Sequence, residues 1–545
     1  MTIYRSPFHD TKLPSTNAYT FTTSNPNNAP DSQVLLIDAL TKKRITYGEW
    51  KRDTRRFATG LVNNGFKRGD VVAVFSFNQY DYSIVVFAPI LLGGIVTTVN
   101  SAYTVPELIH QLEDSGATFI VTHPELLATA VEAAKKVGIP PQRIYLFGEE
   151  AVNGFKPYSS IFPPLSTPES QLAQPVNLDG EPAATTTAVI CYSSGTTGKS
   201  KGVELTHLNL CSNAAQVSPT DSDMTPLQTV HLAVLPLYHI YGIQMCMNVA
   251  IFNASTTVVL PKFNPVDFLQ AIQEFKVQTM NLVPPQILML VKAPIVDKYD
   301  LSSVRRITSG AAPCPPELSV ALVQKFPHIY FRQGYGMSEL SPVSHAGLYT
   351  SPVHGSIGVV APNCEVRLVD PETGMDAAPG QSGEIWVRGP NVMKGYRNNP
   401  KATAETIDKD GFLHTGDIAT VDRHGHFFIV DRMKELIKYK GFQVAPAELE
   451  AVLVANPEIG DAAVIGVENK AEATEVPLAF VVRAPGSTIT EQQVSDYVAS
   501  KVANHKKLRG GVRFVEIIPK SAAGKILRKD LRALVAQEKA TKAKL

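Results

Sequence analysis

The sequence predicts an α/β protein with a large N-terminal domain and a small α+β domain at its C-terminal end. The 545 residues are too many for one ordinary domain. The N-terminal part alternates short apolar, β-rich runs with helical stretches, which is typical of βαβ units. After Arg432 the pattern becomes a compact mixture of strands and helices. We therefore predict domains over residues 1–433 and 434–545.

Composition limits the function classes. Hydrophobic residues make up 44% and charged residues 19% of the chain, values that indicate a packed fold rather than a disordered one. The formal net charge is +1, so there is no global field to attract nucleic acid, and we exclude it as a partner. The five cysteines lack the spacing of a zinc site or a disulfide framework, which favours a reducing compartment.

The first elements of the chain form a βαβ unit, with a strand, a helix and a strand predicted over residues 71–77, 82–92 and 95–99. Thr104 and Glu107 form a capping box that begins a helix, which should end near Gly116. Strands follow at 119–122, 144–147 and 188–192, and the stretch 155–187, rich in Pro, Ser and Gln, should be a surface loop.

The small domain should contain a helix opened by Pro446 and a second helix over 490–502. Its strands are predicted at 462–467, 478–482 and 512–518.

Membrane and targeting signals are few. The apolar run 84–96 contains Pro89 and is shorter than the roughly 20 residues needed to span a bilayer, so we interpret it as buried core without a transmembrane segment. Residues 1–8 lack a secretory pattern. The last residues, Ala543, Lys544 and Leu545, are a conservative variant of the Ser-Lys-Leu peroxisomal address. They predict binding to the peroxisomal import receptor, with the cytoplasm as the alternative location.

Residues 192–202 (YSSGTTGKSKG) follow a predicted strand and combine hydroxyls, glycines and two lysines. Such a segment can place backbone N–H groups and side-chain donors around a polyphosphate. A Walker A motif would need glycine at position 193, where Ser193 stands, so a P-loop kinase or ATPase fits poorly.

The segment 193–202 resembles the signature of the adenylate-forming superfamily of acyl-CoA synthetases, firefly-type luciferases and peptide-synthetase adenylation domains. Further motifs follow in the order of that family, at residues 309–313 (SGAAP), 333–339 (QGYGMSE), 415–417 (TGD), 431–441 (DRMKELIKYKG) and 519–525 (PKSAAGK). The similarity is greatest to the 4-coumarate:CoA ligase-like branch. It implies a β-barrel-like subdomain within the large domain and a mobile small domain.

The resemblance implies a carboxylate:CoA ligase that uses ATP, Mg²⁺ and coenzyme A. A carboxylic acid would first become an acyl-adenylate and then a thioester of CoA. The chain would act as a monomer or a homodimer.

The resemblance also implies nucleotide-binding residues. Tyr335 would stack on adenine, Ser338 would contact the α-phosphate, Asp417 would accept from the ribose hydroxyls, and Glu339 would bind Mg²⁺. The full nucleotide and CoA set is Ser193, Ser194, Gly195, Thr196, Thr197, Gly198, Lys199, Lys201, Gln333, Gly334, Tyr335, Gly336, Ser338, Asp417, Arg432, Lys434 and Gly441.

The implied catalytic residues are Lys525, His239, Lys438 and Gln443. Lys525 would bridge the carboxylate and the α-phosphate during adenylation, and Gln443 would assist that step. A thiol must then reach the adenylate carbonyl, so Lys525 has to leave and another face of the small domain must arrive. Lys434 matches the hinge position, and Lys438 would line the approach of pantetheine.

The acid pocket is implied to contain His239, Tyr241, Met245, Gly310, Ala311, Gly334, Gly336, Pro342 and Val343. Residues 235–247 include no aspartate to hold a substrate ammonium, which indicates an acid with a neutral body. Glycines on the pocket wall suit a flat ring of the hydroxycinnamate type. Met245 suits an alkyl chain or an arylacetate equally well, so medium-chain fatty acids and arylacetates stay open as alternatives.

Three other functions compete with a CoA ligase. A luciferase-like oxygenase shares nearly every motif. A peptide-synthetase adenylation domain is disfavoured by the missing aspartate. A non-catalytic nucleotide-binding peroxisomal protein would predict loss of Lys525, Glu339 or Asp417, and all three are present.

Overall fold

The structure is a computed structural model that describes residues 2–193, 200–217, 225–439, 442–469, 474–521 and 524–542. Residues 543–545 lie outside these ranges, so the peroxisomal address stays a prediction.

Twenty-six strands are found in the described residues. They are β1 (Tyr4–Arg5), β2 (Val34–Asp38), β3 (Arg44–Thr46), β4 (Val71–Phe75), β5 (Ile95–Val99), β6 (Ala117–Thr122), β7 (Ile144–Leu146), β8 (Thr187–Ser193), β9 (Lys201–Thr206), β10 (Val230–Ala233), β11 (Thr256–Val259), β12 (Thr279–Leu282), β13 (Arg306–Ser309), β14 (Tyr330–Gly336), β15 (Val343–Ala346), β16 (Val359–Val360), β17 (Glu365–Val369), β18 (Gly383–Arg388), β19 (Gly395–Tyr396), β20 (Leu413–Val421), β21 (Phe427–Arg432), β22 (Ile437–Tyr439), β23 (Phe442–Val444), β24 (Ile459–Asn469), β25 (Thr474–Arg483) and β26 (Gly511–Phe514).

Fifteen α-helices accompany the strands in the same ranges. They are α1 (Ala18–Thr22), α2 (Tyr47–Asn63), α3 (Tyr82–Leu91), α4 (Val105–Ser115), α5 (Leu127–Val137), α6 (Glu181–Thr185), α7 (His207–Val217), α8 (Ala250–Phe252), α9 (Pro265–Phe275), α10 (Pro284–Lys292), α11 (Pro316–Lys325), α12 (Pro400–Thr406), α13 (Pro446–Val454), α14 (Glu491–Lys501) and α15 (Arg528–Lys542).

A seven-stranded sheet contains the predicted βαβ units, in the order β19-β9-β8-β5-β4-β6-β7. Strand β4 pairs in parallel with β5 and β6, and all ten residues of α3 are buried, which confirms the interpretation of this run as core. The capping box of α4 is present, with the Thr104 backbone N–H donating to the Glu107 carboxylate over 2.8 Å. The helix ends at Gly116, whose φ of 73° is left-handed.

A nine-stranded sheet has the order β16-β15-β14-β13-β12-β10-β11-β2-β3. Its strands β10 to β14 are parallel. One face of β12, β13 and β14 presents Met280, Ile307 and Phe331 to the core beneath α9, α10 and α11. Successive residues of a strand point to opposite faces of the sheet. The residues next to these three in sequence therefore point to the other face of the sheet, which borders the site described below.

Where the resemblance implies a barrel-like subdomain, the structure has an antiparallel five-stranded sheet, in the order β1-β17-β18-β20-β21. The small domain contains the hairpin β22-β23 and the sheet β24-β25-β26, with α13, α14 and α15 around them. The predicted strand 512–518 is too long: β26 ends at Phe514, and Ile517 is 77% exposed. An apolar run does not distinguish a strand from the extended segment that follows it.

The domain boundary between residues 433 and 434 stays a prediction. The two sheets of the small domain, β22-β23 and β24-β25-β26, both lie on its C-terminal side. In the described part of the chain, no helix combines the length and the hydropathy required to cross a bilayer.

Candidate active site

The sequence motifs meet where strands of three sheets end beside a loop of the small domain. Ser193 ends β8, Gly336 ends β14, and Asp417 lies on β20. Lys525 lies in the loop between β26 and α15. Segments far apart in sequence thus border one space.

One described end of the phosphate loop contacts the glutamate predicted to bind metal, and the other contacts a tyrosine that is hydrogen-bonded to this glutamate. The Ser193 hydroxyl donates to Oε1 of Glu339 over 3.4 Å, and the Tyr396 phenol donates to the same oxygen over 2.9 Å. The Lys201 ammonium lies 4.3 Å from the centre of the Tyr396 ring. Glu339 is 5% exposed, in the short turn that Ser338 begins. The remaining loop positions predicted to bind phosphate lie outside the described residues: Ser194, Gly195, Thr196, Thr197, Gly198 and Lys199.

The Asp417 carboxylate is held in place by Tyr335 and Arg432. The Tyr335 phenol donates to Oδ2 of Asp417 over 2.7 Å, and Arg432 Nε lies 3.3 Å from Oδ1. Asp417 and Arg432 face each other in the register of β20 and β21. Burial, with the adjacent Asp417 charge, raises the pKa of Tyr335, so the phenol keeps its proton and stays a donor.

Replacing Tyr335 by Phe removes this donor and leaves the ring. Because a hydrogen bond to a charged group contributes about 1.5–3 kcal/mol, we expect KM for ATP to rise roughly tenfold while kcat changes little. Measuring pyrophosphate release against ATP concentration checks this. Tyr330→Phe, at the exposed start of the same strand, is the matched control. An unchanged KM for ATP in Tyr335→Phe would refute a role for the phenol.

The glycines of the 333–339 motif have different surroundings. A Cβ on Gly336 would lie 1.7 Å from the Pro342 carbonyl oxygen, so the backbones of β14 and the following turn can approach only with glycine there. A Cβ on Gly334 would meet its nearest atom, the His345 carbonyl oxygen, at 3.7 Å. The side chain of Gln333 accepts from the Cys314 backbone N–H over 3.2 Å.

The predicted acid-binding residues surround the glycines. A Cβ on Gly310 would lie 2.9 Å from the Tyr241 ring, so this ring packs directly on the glycine, and its phenol reaches Oδ1 of Asn281 at 3.3 Å. Met245 is buried in the π-helix Gly242–Val249. The remaining wall positions are Ala311, which has a φ of 66°, Pro342, and Val343 at the start of β15.

Lys525 comes from the small domain into this polar environment. Its backbone carbonyl oxygen accepts from the Ser521 N–H over 2.8 Å, which closes the loop. Burial lowers the pKa of Lys525 to about 8; Arg432 lowers it further, whereas Asp417 and Glu339 oppose the change. Burial, with the Lys525 charge, lowers the pKa of His239 to about 4. The structure therefore brings Lys525 together with His239, Arg432, Asp417 and Glu339.

The residues assigned to the second half-reaction lie elsewhere on the small domain. Lys434 and Lys438 are exposed, and Lys438 pairs with Gln443 across the β22-β23 hairpin. The Lys438 backbone donates to Glu475 and accepts from Thr474. Gly441 lies outside the described residues. These roles stay predictions.

Sequence reasoning missed several polar residues around the site. Tyr396 contacts Glu339, and a buried cluster of Thr308, Arg332 and Tyr349 lies beside Gly334. Arg332 immediately precedes the 333–339 motif in a strand, and a charge at such a position could have signalled a polar face. Among the described residues, there is no group of three or more His, Cys, Asp or Glu side chains able to hold a metal.

Known proteins share this architecture. The family model "AMP-binding enzyme" matches residues 23–397, and "AMP-binding enzyme C-terminal domain" matches 448–525. The probable 4-coumarate–CoA ligase 1 of Dictyostelium discoideum is 41% identical over 521 residues, and the 4-coumarate–CoA ligase of Pinus taeda is 42% identical over 509 residues; each alignment covers 92% of both chains. The crystal structure of ATP-bound MatB from Rhodopseudomonas palustris superimposes with a TM-score of 0.83 at 30% identity, covering 95% of this chain and 98% of that chain.

These matches confirm the fold and the family expected from the motifs. The first family model covers more than half of the chain, and the second covers most of the small domain that carries Lys525. The relatives align along nearly their whole length. The chain therefore belongs to the AMP-binding enzyme family, and it is an AMP-forming acid:CoA ligase that uses ATP and CoA.

Proposed function

We propose that the chain activates an aromatic acid of the hydroxycinnamate type, with an oxygen substituent at the end of the ring distant from the carboxylate. The names of the 4-coumarate–CoA ligase relatives support this substrate class. The observation that carries the proposal is a polar row on the sheet face beside the pocket glycines, formed by Asn281, Thr308 and Arg332.

The polar row lies across three adjacent parallel strands. Asn281 faces Thr308 in the register of β12 and β13, and Thr308 faces Arg332 in that of β13 and β14. Gly310 and Gly334 follow two residues later along their strands, so they share the same face, roughly 7 Å farther along it. An acid placed over these glycines with its carboxylate toward Lys525 directs its other end toward the polar row.

The polar row is a buried hydrogen-bonding group. Asn281, Thr308 and Arg332 are each less than 8% exposed. Arg332 Nε donates to the Thr308 hydroxyl over 3.2 Å, and its guanidinium lies 4.0 Å from the centre of the Tyr349 ring. Burying an alkyl terminus against such groups would forfeit hydrogen bonding, whereas a phenolic oxygen can take part in it. The polar row thus favours a phenolic acid over a medium-chain fatty acid.

The described side chains suit the first of the two steps. An acid carboxylate oxygen attacks the α-phosphorus of ATP, and the bond to the bridging oxygen of pyrophosphate breaks. Lys525 would bring positive charge to the oxygens that become more negative. His239, neutral above about pH 4, would donate an N–H to the carboxylate. CoA, its thiol proton having passed to solvent, then attacks the acyl carbonyl as the thiolate; the carbon–sulfur bond forms, the bond from the acyl carbon to the phosphate oxygen breaks, and AMP leaves with that oxygen.

Mg²⁺ would be held by Glu339 together with phosphate oxygens and water. Mg²⁺ prefers oxygen ligands and commonly binds through one or two carboxylates and substrate phosphates, so one buried glutamate fits this donor set. The Ser193 and Tyr396 hydroxyls both donate to Oε1, which fixes the orientation of the carboxylate beside the phosphate loop. When bound, the ion would neutralise charge on the phosphates.

A comparison of acids tests the proposed substrate. We expect kcat/KM for AMP formation to be highest with 4-coumarate, lower with cinnamate, which lacks the ring hydroxyl, and lowest with hexanoate and decanoate. CoA should accelerate AMP release. Thr308→Val removes the hydroxyl at the centre of the polar row and keeps the shape, so the preference for 4-coumarate over cinnamate should fall about tenfold.

Thr257→Val, the same substitution at a buried position of β11, controls for the loss of a hydroxyl in this sheet. The control should keep the wild-type preference. Equal use of cinnamate and 4-coumarate by the unmodified protein would contradict the phenolic assignment, and a preference for decanoate would replace it with the fatty-acid alternative.

A further inference from the structure

We infer that Lys292, in the large domain, is a positioning residue for adenylation: it docks the small domain in the orientation that places Lys525 in the site. The inference rests on the proposed role of Lys525. It follows from the contacts that α10 makes with the small domain at both of its ends.

The first contact is at the start of α10. Gly524 precedes Lys525 and has a φ of 74°. A Cβ on Gly524 would lie 3.0 Å from Val283 and 3.3 Å from Pro285. The loop that carries Lys525 is therefore seated directly against the first turn of α10.

The second contact is at the other end of the same helix. Lys292 is the last residue of α10, and its ammonium lies 3.4 Å from the Val454 carbonyl oxygen and 3.2 Å from that of Ile459. Val454 is the last residue of α13, and the final carbonyls of a helix lack intrahelical donors and carry partial negative charge. Burial lowers the pKa of Lys292, and the negative charge of Asp461, two residues after Ile459, opposes this change. Lys292 thus supplies a donor to the last carbonyl of α13 and to the first carbonyl of β24.

Together the two contacts align the small domain along α10. A helix of nine residues is about 13 Å long, so two fixed points at this separation limit rotation of the small domain. Asp431 adds a third connection, at the junction of the domains, where its carboxylate accepts from the Ala447 backbone N–H over 3.0 Å. The Lys292 contact is a side-chain contact between surfaces, so it can form and break without unfolding either domain.

A contact that forms in only one orientation of the small domain stabilises that orientation relative to all others. The free energy of the contact sets the factor by which the population of that orientation increases. Thioester formation requires Lys525 to leave the adenylate, so the Lys292 contact supports the first half-reaction and opposes the second. Lys292→Met keeps most of the apolar stem and removes the donors. We expect the ratio of the adenylation rate to the thioester-forming rate to fall about fivefold.

The two rates are measured separately in single-turnover experiments. Adenylation is followed by pyrophosphate release without CoA, and thioester formation by adding CoA to supplied acyl-adenylate. Lys292→Arg, which keeps a cationic donor, should restore most of the ratio. Lys298→Met, an exposed lysine six residues later, is the matched control and should leave it unchanged.

An unchanged ratio in Lys292→Met, or an equal loss of both rates, would overturn the inference, because a general loss of stability affects both steps alike. Failure of the proposed function gives a different result. In that case, the unmodified protein releases no pyrophosphate with any acid, or Lys525→Met adenylates as fast as the unmodified protein.

Discussion

Lys525→Met abolishes nearly all adenylation: we expect the rate of pyrophosphate release to fall about a thousandfold, with the fold intact. In the proposed mechanism the lysine is a cation that the small domain contributes to the site, where low polarity makes a charge on the transferring phosphoryl group costly. Methionine keeps the length of the side chain. Thioester formation from supplied acyl-adenylate should continue, since the role proposed for Lys525 is confined to adenylation.

Lys529→Met, on the exposed side of α15 four residues later, is the matched control and should retain full activity. Loss of both half-reactions in Lys525→Met would contradict an assignment limited to adenylation.

The same variant identifies the lysine in a pH profile. Burial lowers the pKa of Lys525 from 10.5 to about 8, so the ammonium loses its proton as the pH rises through about 8. The proposed role requires the protonated form, so kcat/KM for ATP, which reports the free enzyme, should decline above that pH. His239 titrates at about 4 and does not contribute there. In Lys525→Met, this alkaline decline should be absent from the residual activity; its persistence would assign it to another group.

Glu339→Gln should have the second-largest effect on adenylation: the variant should need a higher Mg²⁺ concentration to release pyrophosphate. The amide has nearly the shape of the carboxylate and can still accept from the Tyr396 phenol, but it lacks the negative charge that a hard cation prefers. We expect the free Mg²⁺ concentration for half-maximal pyrophosphate release to rise about a hundredfold. A Mg²⁺ titration at saturating ATP measures it.

Glu317→Gln, an exposed glutamate on α11, controls for the charge change and should titrate like the unmodified protein. If Glu339→Gln loses activity at every Mg²⁺ concentration with an unchanged midpoint, the carboxylate orients the phosphate loop through Ser193 rather than holding the ion.

Local signals predicted much of the fold because they act over a few residues. The strand 95–99 and the capping box at Thr104 were correct, since β-branched runs and caps depend on neighbouring residues. Sheet order could not be predicted in this way. The polar row needs the register of three strands that lie up to about 50 residues apart, and no periodicity within one strand reveals which residues of its neighbours stand opposite.

In the candidate site, too, residues within short motifs were predictable from the sequence, and residues that act through long-range contacts were not. The motifs around Asp417 and Lys525 were found because the residues occur in short, ordered segments. Tyr396 and Lys292 contact distant parts of the chain, and neither lies in a motif. Contacts between domains depend on how two surfaces fit, which the sequence of either surface alone does not specify.

The two glycines of the 333–339 motif differ in how freely they can change during evolution or engineering. At Gly336, any side chain would displace the backbone, so every substitution risks the fold before it alters selectivity. At Gly334, a methyl group meets only ordinary contacts, at 3.7 and 3.9 Å. In the proposed acid pocket, larger residues introduced there would shorten the space for the acid stepwise. Among these two positions, new acid preferences can therefore be acquired at Gly334, while Gly336 stays fixed.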